Sequence, residues 1–160
     1  MQELVRRVPR QVLRIMESES RTMSKVVIEV MRTELEPVRY IGTLERSVSA
    51  KIDIRAAQTI VKVGPTAEHA AFVRYGTRPH WAPIAPLKAW AAWKLGDENA
   101  AYAVQQSIAK HGTSMWAVQL YGGKANDYVT RTLTSARTSS AFREFLRRVQ
   151  TRIVQEGLRR

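Results

Sequence analysis

Ala50-Lys51-Ile52-Asp53-Ile54-Arg55-Ala56 and, two residues later, Thr59-Ile60-Val61-Lys62-Val63 alternate apolar with polar side chains. That period of two belongs to half-buried strands, whose successive side chains point to opposite faces. The two runs predict an antiparallel hairpin with Ile52, Ile54, Val63 and either Ile60 or Val61 turned to a core. Lys51, Arg55 and Lys62 are then left to solvent or a partner. A two-stranded sheet is marginal alone in water, so a helix has to cover its inner face.

The residues before the hairpin supply such a helix. Between Arg10 and Glu36, Val12, Ile15, Met16, Met23, Val26, Val27, Val30, Met31 and Leu35 recur at the three-and-four spacing of one helical face. Pro37 ends the run. A helix of this length spans roughly 40 Å, more than a small core requires, so it either packs across the sheet or reaches a neighbouring subunit with its free end. Residues 41–47 read as a connector or a short helical turn.

Beyond the hairpin, Pro65 suits a helix start and Gly76 a left-handed stop, which predicts a helix over 66–75. Its small Ala67, Ala70 and Ala71 allow close packing, and Phe72, Val73 and Tyr75 supply bulk. Thr77 to Ala85 is a loop stiffened by Pro79 and Pro83. Pro86 opens a second helix carrying Leu87, Trp90, Trp93 and Leu95 and stopped by Gly96; Asp97 caps a third over 98–111, closed by Gly112. Residues 112–123 form a second irregular loop, bearing Met115 and Trp116. A last helical region starts near Ala125, passes a Thr/Ser patch at 134–140, and resumes with Phe142, Phe145, Leu146, Val149, Ile153 and Val154 at helical spacing. The expected fold is α+β: a small antiparallel sheet packed by a long N-terminal helix, central short helices and a C-terminal helix. It is expected as one domain, with segments at 1–40, 41–123 and 124–160.

The 160 residues, 44% of them hydrophobic, suffice for a real core. Net charge is +12, mixed over the first 40 residues and plainly basic after them. Such an excess concerns partners rather than fold, and leaves nucleic acid, an acidic protein surface and anionic lipid open. No apolar run approaches the roughly 18 residues of a membrane span, and Arg6, Arg7 and Arg10 are not followed by the unbroken apolar stretch of a secretory signal. The absence of cysteine excludes disulfides, thiolate metal sites and a cysteine nucleophile, and fits a reducing compartment.

The polar residues do not assemble a reaction. His69, His80 and His111 have no metal-ligand spacing, and Gly122-Gly123-Lys124 lacks the glycine pattern of a phosphate loop. Asp53 sits between basic neighbours, and Asp97 with Glu98 suits a helix start. The sequence therefore predicts no catalytic residue, no metal ligand and no cofactor. A binding surface is the better expectation: Arg74, Tyr75, Gly76, Thr77, Arg78, His80 and Trp81, with Met115 and Trp116, combine aromatics, arginine and rigid loop, as protein interfaces do. Arg74, Tyr75, Arg78, His80 and Trp81 also have the makings of a stacking, neutralising surface for single-stranded nucleic acid. No base-reading signature accompanies them, so the alternative function is a nucleic-acid module without sequence specificity. Lys51, Arg55, Lys62, Arg147, Arg148 and Arg152 are the expected contacts to DNA or to an acidic partner, against the plain reading of a solvated basic face.

The ordered series Leu44-Glu45-Arg46-Ser47-Val48, Val61-Lys62-Val63-Gly64, Ala70-Ala71-Phe72-Val73-Arg74-Tyr75-Gly76-Thr77 and Leu87-Lys88-Ala89-Trp90-Ala91-Ala92-Trp93-Lys94-Leu95-Gly96, closed by Gly112-Thr113, resembles the neck and tail-completion family of long-tailed bacteriophages. The resemblance covers about Gly42 to Gly122. It implies a non-enzymatic virion protein at the head-tail junction, assembled in the host cytoplasm as a six-fold or twelve-fold homo-oligomeric ring. Its implied neighbours are head-closure, tail-terminator or tail-tube proteins, with genome DNA crossing the lumen and no membrane involved. Where many relatives carry a glutamate before the aromatic-Gly-Thr, this chain has Arg74, so an ion pair at that position does not carry over.

Overall fold

In a computed structural model, which describes residues 10–39, 41–55, 58–113 and 127–158, the apolar stripe of the first segment forms helix α1, Arg10–Leu35. Its 26 residues measure about 39 Å at 1.5 Å each. Pro37 converts the following turn into a 3-10 turn, Glu36–Val38, since proline offers no donor to continue the helix. Helix α2, Thr43–Arg46, leads into strand β1, Val48–Arg55, which pairs antiparallel with β2, Gln58–Pro65. The register sets Ile52 opposite Val61 and Ala50 opposite Val63. Directly opposed residues share a face, so it is Val61, not Ile60, that joins Ile52, Ile54 and Val63. Ile60 stands with Asp53 on the other side.

Helix α1 packs against both strands, and its other flank is covered by α6, Tyr128–Thr134, and α7, Ala136–Leu158. Ion pairs fix α7 as antiparallel to α1: Arg152 donates to Glu19 at 2.8 Å, and Arg137 to Glu29 at 2.8 Å. Arg131 of α6 meets Glu34 at 2.6 Å and donates to its carbonyl at 3.0 Å. Glu19 is buried, at 8% exposure, and a buried carboxylate requires such partners. Ile15, Val27, Val30, Met31 and Leu35 of α1, with Leu44, Val48, Tyr128 and Val149, are buried. The architecture is α+β, a small antiparallel sheet with a long N-terminal helix, as the alternation and the long stripe imply.

The chain divides into two compact units: residues 1–67 with 128–160, and residues 68–127. The second unit contains α3, Ala70–Tyr75, α4, Ile84–Leu95, and α5, Ala100–His111. It has its own core of Ala82, Val104 and Ile108, against which Leu87 and Trp90 pack.

Element boundaries depart from the sequence expectations for identifiable reasons. Helix α3 begins at Ala70 rather than at 66. The chain is held back at the hairpin, where Thr66 N–H and Ala67 N–H donate to the carbonyl and hydroxyl of Ser47, at 3.1 and 3.2 Å. Helix α4 starts at Ile84, two residues before Pro86, since proline is accepted throughout a first turn that lacks intrahelical acceptors for its N–H groups. Asp97 does not cap α5 directly: it accepts from Asn99 N–H at 2.8 Å, and Asn99 is the residue before the helix. Most of the Thr/Ser patch is helical, broken only at Ser135. The expected start near Ala125 lies outside the described residues.

Candidate functional site

Helix α3 stops at Gly76, whose φ of 78° favours glycine and whose N–H donates to Phe72 O at 2.8 Å. The loop that follows is pinned to the end of α5. Thr77 N–H donates to Thr113 Oγ1 at 2.7 Å, Thr113 N–H returns a bond to Thr77 O at 3.2 Å, and the two hydroxyls meet at 3.1 Å. Gly112 makes this approach geometrically accessible. Its φ is 70°, and a Cβ there would fall well inside contact distance of the Thr77 carbonyl oxygen.

Three further bonds fix the rest of the loop. His80 N–H donates to Ile108 O at 3.4 Å, and Gln105 Nε2 donates to Ala82 O at 2.7 Å. His80 Nδ1 lies 2.8 Å from Arg78 O and 3.4 Å from Thr77 Oγ1. A ring nitrogen that close to a carbonyl carries the proton, so His80 closes its own loop. The stiffness ascribed to Pro79 and Pro83 therefore has a second source, in hydrogen bonds to α5 and to Thr113.

Between pinned His80 and buried Ala82 the Trp81 side chain is 70% exposed, and Tyr75, at the end of α3, is 64% exposed. The Arg74 guanidinium sits 4.9 Å from the Tyr75 ring centroid and 3.4 Å from Asp127 Oδ1, which orients it. Arg78 is exposed beside them. Arg74, Tyr75, Gly76, Thr77, Arg78, His80 and Trp81 thus belong to one clamped segment. Met115 and Trp116 lie outside the described residues. Phe72, expected as packing bulk, is exposed, as is Trp93, whereas Trp90 packs on the core.

The basic residues singled out in the sequence fall into two groups. Arg55 pairs with Asp53 at 2.9 Å, Arg147 and Arg148 both pair with Glu144 at 2.7 Å, and Arg152 pairs with Glu19. Hydrogen bonds from Arg147 and then Arg148 push the Glu144 carboxyl down to about 2 and raise the Arg147 guanidinium. Lys51 and Lys62, in contrast, are exposed and directly opposed across the hairpin. Between α4 and the start of α5, Lys88 donates to Glu98 at 2.9 Å and lies over the Tyr102 ring, and the Glu98 bond raises its ammonium pKa.

The sequence reading did not find the Thr77–Thr113 clamp or the Asp127 partner of Arg74. The signal for the clamp was present: of the three Gly-Thr pairs in the sequence, those at 76–77 and 112–113 each come just after an α-helix. Asp127 had none, because nothing local marks a residue so far along the chain as a partner. Among the described residues no three His, Asp or Glu side chains gather to hold a metal ion, and no helix is long and apolar enough to cross a membrane. Comparison of the chain with protein-family models, with curated proteins and with solved structures finds no match.

Proposed function

We propose that this chain is a structural virion protein of a phage head-tail junction, which self-associates into a ring through the segment Arg74 to Trp81 and catalyses no reaction. The observation that carries the reading is the placement of Trp81, held out to solvent by hydrogen bonds on either side of it. A large aromatic fixed in one place keeps its contact area at little entropic cost, which is the property of an interface anchor. The neck and tail-completion part of the proposal rests on the ordered motifs from Leu44 to Thr113. The competing reading, a free nucleic-acid module, draws on the same exposed aromatics. Against it, Arg55, Arg147, Arg148 and Arg152 are engaged by carboxylates of their own chain, which leaves fewer cations for a phosphate track.

Analytical ultracentrifugation of the purified chain and of Trp81→Ala and Tyr75→Ala tests the proposal. The wild type should form a closed oligomer, and each variant should shift toward monomer by about 2 kcal/mol or more per interface. Because both side chains are exposed, the thermal melt of the monomer should change by less than about 0.5 kcal/mol. A wild type that stays monomeric at high concentration, or a Trp81→Ala chain that assembles unchanged, sinks the reading. Tight DNA binding by the monomer would support the module instead.

A further inference from the structure

The two edges of the small sheet are not equivalent. Thr66 N–H donates to Ser47 O, and with the unbroken register this makes 64/49, 62/51, 60/53 and 58/55 the hydrogen-bonded pairs. The N–H and C=O groups of Thr59, Val61 and Val63 accordingly point away from β1, and no described residue meets them. On β1 the outward carbonyl of Val48 is taken by Arg32 Nη2 at 3.4 Å, while the outward groups of Ala50, Ile52 and Ile54, like those of β2, are met by no described residue, so the difference between the edges lies in what runs beside them. Beside the β2 edge runs a groove of about 590 Å³, walled by Met23 and Val27 of α1, Val61 and Val63 of β2, Leu133 of α6 and Phe142 of α7. No described residue of β1 lines it, so it lies on the open side of β2.

On the sheet's outer face Lys51 and Lys62 stand opposite one another without a carboxylate at ion-pair distance among the described residues, and Asp53 on the same face is already engaged by Arg55. Like charges in that position repel. A strand added to β2 would bond these outward backbone groups, drop alternate side chains into the apolar groove, and set the intervening ones beside Lys62. We propose that this groove accepts, as a third strand, an extended segment of an acidic partner protein in which apolar residues alternate with aspartate or glutamate. A second copy of this chain fits less well. Its own alternating runs carry Lys51, Arg55 and Lys62 at the intervening positions, which would set like charges beside Lys62.

The test uses the full chain, isotopically labelled, with the peptide acetyl-Glu-Val-Glu-Val-Glu-Val-Glu-amide as probe. Amide exchange at Val61 and Val63 should slow by about tenfold or more at saturating peptide, while Ile60 and Lys62, already bonded within the hairpin, should change little. Lys62→Glu should weaken binding about tenfold, and the exposed-site variant Phe142→Ser should weaken it as well. Trp81→Ala should bind the peptide normally, which separates this proposal from the ring interface. Unchanged exchange at Val61 and Val63 up to millimolar peptide overturns the proposal, as does equal binding of the peptide with lysine in place of glutamate. Protection of the two amides that rises with protein concentration in the absence of peptide also overturns it, and assigns the groove to a second copy.

Discussion

Gly112 and Gly96 share a positive φ, 70° and 73°, but differ in ψ, −165° against 4°, and in their surroundings. A Cβ at Gly96 meets nothing within 4 Å, while one at Gly112 collides with the backbone at Thr77 and Arg78. Gly96→Ala should therefore cost about 1 kcal/mol, the conformational term alone. Gly112→Ala should cost roughly 2 kcal/mol or more, because its backbone conformation is one that alanine rarely adopts and the Thr77–Thr113 bonds must also open. Urea melts of the two variants measure the difference, and equal losses would mean that the clamp contributes nothing. At Glu144 the two arginines lower the folded-state pKa to about 2 from an ordinary 4.5. A depressed carboxyl pKa stabilises the fold above the unfolded value, and the contribution disappears as pH falls through the folded one. Helicity of α7 should thus decline between pH 4.5 and about 2, and Glu144→Gln should lack that part of the acid titration by circular dichroism.

At the scale of elements, Ser135 separates α6 from α7 and starts the longer helix. Its Oγ accepts from Thr138 N–H at 3.0 Å and its carbonyl from Ser139 N–H at 3.0 Å. Ser135→Ala should cost about 1 kcal/mol and Ser135→Asp much less, since aspartate caps as well as serine does; equal melts for the two variants would deny the capping role. The sequence made the hairpin and α1 legible because periods of two and 3.6 are local properties of the chain. Which of Ile60 and Val61 faced inward was not legible, because register is a relation between strands. The Thr/Ser patch looked like an interruption, since these residues compete for backbone bonds. In the structure Ser135 does so as a cap, while Thr134 bonds back to the Thr130 carbonyl within α6 at 2.8 Å. Of the candidate site, the exposed aromatics and the glycine stop could be read, but the bonds from α5 and from Thr113 that hold the loop join residues 23 to 36 positions apart.

For the whole molecule, all four tryptophans, Trp81, Trp90, Trp93 and Trp116, fall within the unit of residues 68–127. Tryptophan fluorescence therefore reports that unit alone, whereas far-ultraviolet circular dichroism also weighs the long helices α1 and α7 of the other. Among its described residues the second unit buries Ala82, Ala91, Ala101, Val104 and Ile108 and leaves Phe72, Tyr75, Trp81, Trp93 and Tyr102 exposed. A unit that buries so few of its described large side chains should yield first. In urea the fluorescence midpoint should precede the midpoint by circular dichroism, and coincident curves would mean that the chain unfolds as one.

The division of the chain also has a consequence in time. Synthesis runs from the N-terminus, so the sixty residues 68–127 emerge complete and can fold while α1 and the hairpin still wait for α6 and α7. Of the elements of its unit, α1 precedes the rest and is covered last. Until residues 128–158 leave the ribosome, the flank of α1 that carries Glu19, Glu29 and Glu34 lacks the arginines that pair with it, and a nascent chain stalled before Tyr128 would present that flank to chaperones.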